Sequence, residues 1–102
     1  MKNFEEIRTH TIRGKQYHLV WRKPPGRHPD PDYEWKGECD SPDWKGRRLW
    51  IYPKQEPMEL LATVIHEMAH GAFWDLDEDA VEAFERDTMR LLKRMGIEVK
   101  FK

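Results

Sequence analysis

The sequence lacks a second cysteine. Cys39 is the one thiol in 102 residues, so no disulfide can form within the chain, and a reducing compartment is expected. Long apolar runs are missing too. None approaches the ~20 residues needed to span a bilayer. The opening "MKNFEEIRTH" is too polar for a secretory signal. A cytoplasmic location with no membrane partner is therefore expected. Excess charge of one sign is also absent. The net charge is −1, which removes the electrostatic case for nucleic acid. Arg47-Arg48 and Arg13-Gly14-Lys15 are short, acid-flanked and read as solvated surface. There is no internal repeat and no low-complexity tract.

Apolar residues are few, at 38%, against 36% charged. Twelve per cent aromatic residues, five of them Trp, nevertheless argue for a folded chain. The length fits one domain over residues 1–102, with a modest core to which a bound metal would add stability.

Phe4 to Trp21 reads as a β-hairpin with its turn at Gly14. "KPPGRHPDPDY" reads as a loop, because its prolines lack donors and restrict their neighbours. "EWKGECD" suits a short strand and "SPDWKG" a turn. "RRLWIYP" suits a strand ended by Pro53, and its consecutive apolar residues imply cover on both faces. Met58 to Phe73 carries apolar residues at helical spacing, with Pro57 and Glu59 suited to a first turn. Asp75 or Asp77 then suits an N-cap. A second helix is expected over Glu78–Arg94, with Val81, Phe84, Thr88, Leu91, Leu92 and Met95 buried and Gly96 as its C-cap glycine. Strands followed by two helices imply an α+β domain with a small antiparallel or mixed sheet.

The chemistry concentrates in "HEMAHGAFWDLDEDAVEAF". Residues four apart share a helix face, so His66 and His70 can present imidazoles to one ion, with Glu67 beside them. Zinc lowers the pKa of a bound water, and a nearby carboxylate can take the proton. The positions around the pair, Val64, Ile65, Met68, Ala69, Gly71 and Ala72, are uncharged. That suits a helix under a cleft rather than an ordinary solvated face.

No histidine follows His70. An acid must therefore complete the three protein ligands that a catalytic zinc usually has. Asp75, Asp77, Glu78, Asp79, Glu82 and Glu85 are available. If the helices pack antiparallel about the Asp75–Leu76 turn, the level of the histidines falls near Ala83. Glu82 is then the first choice and Glu78 the second. Cys39, His10, His18 and His28 read as structural or exposed, and Trp35, Trp44, Trp50 and Trp74 as caps on a thin core.

From Arg47 to Met95 the order of strand, His-Glu-x-x-His helix and acid-bearing helix resembles the zincin metallopeptidases. Among them it is similar to the gluzincins, and in size to the minigluzincins. The resemblance implies a zinc-dependent peptidase acting on a peptide or protein. His66, His70 and Glu82 would be ligands, and Glu67 the base that activates water and then protonates the leaving amine. It also implies that the strand before the helix, Leu49, Trp50, Ile51 and Tyr52, pairs with an extended substrate. Two features depart from the gluzincin pattern: a shorter connection to the third ligand, and no oxyanion-stabilising His or Tyr after the motif. Tyr52 is the nearest residue of that type. The other reading of the same residues is a non-catalytic, zinc-stabilised interaction module. A third is a latent enzyme covered by its own tail or proline-rich loop.

Overall fold

The computed structural model describes residues 3–25 and 35–102. Most of the proline-rich loop, with His28, lies outside the described residues. The fold is α+β. A four-stranded mixed sheet comprises β1 (Thr9–Ile12), β2 (Lys15–Val20), β3 (Gly37–Cys39) and β4 (Arg48–Ile51). Helices α1 (Pro57–Ala72) and α2 (Glu78–Arg94) follow. Among the described residues no helix is long and apolar enough to cross a membrane.

β1 and β2 form the expected hairpin. Ile12 pairs with Lys15, so the turn is Arg13-Gly14. Both have positive φ, 48° and 78°, which matches the tight turn that follows strand twist. The Arg13 guanidinium then reaches α1 and donates to the Ala72 carbonyl at 3.0 Å, meeting an acceptor that a helix end leaves open.

The sheet order is β1-β2-β4-β3. β4 lies parallel to β2 and antiparallel to β3. It is an interior strand, which explains its run of apolar residues. Leu49 and Ile51 join Ile12, Tyr17, Cys39 and Leu60 in the core, where Val64, Met68 and Ala72 of α1 pack against them. Trp50 points to the other face and is also buried. The guanidiniums of Arg22 and Arg48 lie 5.2 and 5.9 Å from its ring, close enough for cation–π attraction.

β3 is an edge strand and leans on α1. A Cβ on Gly71 would meet Ile12 Cδ1 at 2.9 Å and Cys39 Sγ at 3.3 Å. Glycine is what lets the helix approach the sheet so closely. From Leu60 to Ala72 no residue of α1 is exposed, as its uncharged surface implies.

α2 begins at Asp77, whose carboxylate accepts from the Ala80 N–H at 2.7 Å, and stops at Gly96 with φ 74°. Among the described elements it packs against α1 and against no strand. Its buried stripe differs from the expected one. Val81 and Met89 are buried, whereas Phe84, Leu91 and Met95 are exposed. With a single element to pack on, α2 has one buried side, and its second apolar flank faces solvent. Trp44 and Trp74 are likewise exposed rather than capping the core. The last residues form no strand. The Phe101 ring packs at a tilt on Phe4, with centroids 5.4 Å apart, and the Phe4 N–H donates to the Lys102 carbonyl.

Candidate metal centre

His66 and His70 stand one turn apart on α1. Their Nε2 atoms are turned toward each other at 3.1 Å. Glu78, in the first turn of α2, spans both. Its Oε1 lies 2.8 Å from His66 Nε2, and its Oε2 lies 2.8 Å from His70 Nε2. The three side chains form the group among the described residues that could hold a metal ion, with ligand atoms within 4.8 Å of one another. The donor set suits zinc. Two imidazole nitrogens on one tetrahedral zinc lie roughly 3.3 Å apart, close to the separation here.

The other nitrogen of His66 is held as well. Nδ1 lies 3.0 Å from Glu85 Oε1. A carboxylate behind a metal-binding imidazole fixes its orientation and raises its basicity. Nothing in the linear spacing singled Glu85 out from its neighbours. The signal lay in the heptad step: residues seven apart differ by only ~20° about a helix, so Glu78 and Glu85 share a line.

Glu82 was the first choice for the third ligand. It lines the same cleft but is not in the three-residue group, which contains Glu78 instead. Counting outward from the Asp75–Leu76 turn pairs His66 with Glu85, as observed, but it sets Glu78 opposite Phe73, whereas Glu78 reaches both histidines. Such counting ignores rotation about the helix axis. Glu82 lies ~40° from Glu78 and ~60° from Glu85, off the line that meets the histidines.

Glu67 is buried beneath β3, only 6% exposed. A Cβ on Gly37 would stand 2.8 Å from Glu67 Cγ and 2.9 Å from its Oε2. Gly37 therefore admits the Glu67 side chain under the edge strand, a role that a glycine inside a strand commonly signals. Burial pushes the Glu67 carboxyl up to about 8, and the charges of Glu78, Glu38 and Glu85 add to the effect. A carboxyl poised near neutrality suits proton transfer.

The strand expected to pair with substrate, Leu49 to Tyr52, runs along β4, in the interior of the sheet. Leu49, Trp50 and Ile51 are buried, and β4 is paired on both edges, with β2 and with β3. The Tyr52 N–H donates to the Lys36 carbonyl at 2.8 Å. Leu49 and Trp50, paired on both edges, cannot accept an added strand. The sheet edge beside the histidines is β3.

Cys39 faces Gly71 and is buried. Its thiol is pushed up to about 12, chiefly by burial, and it is not in the ligand group. His10 and His18 are exposed on the hairpin. Two cavities of about 480 and 460 Å³ open on the site and share Gly37, His66, Glu67, Glu78 and Glu82. No family model, curated protein or solved structure matches the chain.

Proposed function

We propose that the chain is a small zinc-dependent metallopeptidase. The observation that carries this reading is the convergence of both imidazole Nε2 atoms on one Glu78 carboxylate, with the buried Glu67 carboxyl beside them. His66, His70 and Glu78 would hold the ion. When bound, zinc supplies Lewis-acid polarisation of a peptide carbonyl and lowers the pKa of water at the site. Glu67 would take a proton from the water as its oxygen adds to the peptide carbonyl, and would return it to the amine as the C–N bond breaks. Gly37, close over its side chain, keeps it in place. Glu85 holds His66 in the orientation that points Nε2 inward. An extended peptide would add to the outer edge of β3, its backbone pairing as a further strand.

Zinc content measured beside peptide hydrolysis tests this. One zinc per chain is expected, with turnover abolished by a chelator. Glu67→Ala should keep the metal and lose turnover; an active Glu67→Ala variant would refute the mechanism. Glu78→Ala should weaken zinc binding far more than Glu82→Ala, and the reverse order would restore Glu82 as the ligand.

A second reading has one observation in its favour. Among the described elements α2 packs on α1 and no other, so an ion across His66, His70 and Glu78 would staple the two helices even without catalysis. A coordination shell closed by a fourth protein ligand would favour that stapled interaction module. A shell left open to water would favour the peptidase.

A further inference from the structure

The two cavities flanking the site differ in character. The larger, about 480 Å³, has Trp35 and Trp74 in its walls, with Glu38 and Glu82. No lysine or arginine lines it among the described residues. The other, about 460 Å³, has Lys36 and Arg86 in its walls. The shared residues His66, Glu67, Glu78 and Glu82 lie between the two.

A doubly charged cation would offset the charges of Glu78 and Glu85, the two carboxylates that lie against the histidines. Glu38 and Glu82 would then remain as uncompensated charge on the tryptophan side. Trp74 is 44% exposed and belongs to no part of the hydrophobic core. Its indole therefore offers an aromatic wall to whatever enters. Aromatic walls with nearby carboxylates favour a long aliphatic stem ending in a cation, which covers the ring and meets the acid. A carboxylate side chain would meet like charge there. On the Lys36 side no such bias exists, because cations and acids are mixed.

We propose that the cavity walled by Trp35, Trp74, Glu38 and Glu82 is a subsite for a lysine or arginine side chain adjoining the scissile bond. The proposal deepens the peptidase reading and rests on it for the bond that is cut. The cavity of about 480 Å³ takes in the histidine site as well as the tryptophan walls, so a side chain held there would adjoin the metal ligands.

Two experiments test it. In the first, the zinc-loaded chain is given peptides that differ only in the residues flanking one bond. Lysine or arginine at a flanking position should raise kcat/KM at least tenfold over glutamate. The Glu38→Gln/Glu82→Gln double variant should bring that ratio to within about threefold. Cleavage with no preference, or with a preference the double variant leaves unchanged, would overturn the proposal.

In the second, the zinc-loaded Glu67→Gln variant is titrated with the same peptides and tryptophan fluorescence is read. The arginine peptide should bind at least tenfold more tightly than its glutamate counterpart, and Trp74→Ala should reduce the difference. Equal binding would overturn the subsite. Selective binding without cleavage by the wild-type chain would sustain the subsite and refute the peptidase reading.

Discussion

Gly37→Ala is the sharpest perturbation the fold offers. The added Cβ would lie 2.8 Å from Glu67 Cγ, 2.9 Å from Glu67 Oε2 and 3.0 Å from Thr63 Cγ2. None of these atoms yields easily. Glu67 is buried, and the Thr63 hydroxyl donates to Gln55 Oε1 at 3.0 Å. β3 is itself held in register by β4, with Gly37 opposite Ile51. Overpacking of this kind costs about 1–3 kcal/mol. For a domain of this size that lowers Tm by roughly 10 °C. In a Glu67→Ala background the two closest contacts vanish and only the Thr63 methyl remains. The cost of Gly37→Ala should then fall below ~1 kcal/mol, a coupling of about 1–2 kcal/mol between residues 30 positions apart in sequence. Urea denaturation of the four chains of this cycle, followed by circular dichroism, measures it. A Gly37→Ala chain as stable as wild type would refute the close approach of β3 to α1. An equal cost in both backgrounds would show that Glu67 does not lie beneath Gly37.

Other consequences follow from the same geometry. The Glu67 carboxyl is raised from 4.5 to about 8, so between those values the native metal-free chain binds more protons than the unfolded one. Its stability should therefore fall as pH rises through that window, and Glu67→Gln should flatten the wild-type slope in pH-dependent unfolding. Chelation should loosen α2 first, because it packs on no strand; hydrogen exchange should rise along α2 while β2 and β4 stay protected, and uniform loss would contradict this. Cys39 is buried, with its thiol pushed up to about 12. Iodoacetamide should therefore modify it at least about a hundredfold more slowly in the native chain than in guanidinium.

Much of this was legible in local signals. Helix boundaries were readable because their stops are chemical: Asp77 caps one end of α2 and Gly96 the other. The histidine pair was legible because a spacing of four fixes a shared helix face. Sheet order was not local. Resemblance put substrate on Leu49–Tyr52, yet four consecutive apolar residues already signalled a strand covered on both faces, which an edge strand is not. The glycine of "KGEC" carried a signal that went unread. Within a strand, a missing side chain often marks a place where something else must fit.

The rotation of α2 was the least legible feature, and its physical reason bears on function. Val81, Met89 and Leu92 lie within ~40° of Glu85 about the helix axis, whereas Phe84, Leu91 and Met95 lie roughly 100° to one side. Each flank presents three large apolar side chains, and burying such a side chain is worth about 1.5–3 kcal/mol on either flank. Apolar burial therefore comes close to a tie, and pattern alone cannot choose between the flanks. Polar demands break it. His66 and His70 are only 16% and 18% exposed at their side chains, and each buried polar group left unmet would cost about 1–3 kcal/mol. The observed rotation brings Glu78 and Glu85 to them together. Phe84, Leu91 and Met95 are left in solvent because the chemistry on the other side of the same helix required its acids to face inward.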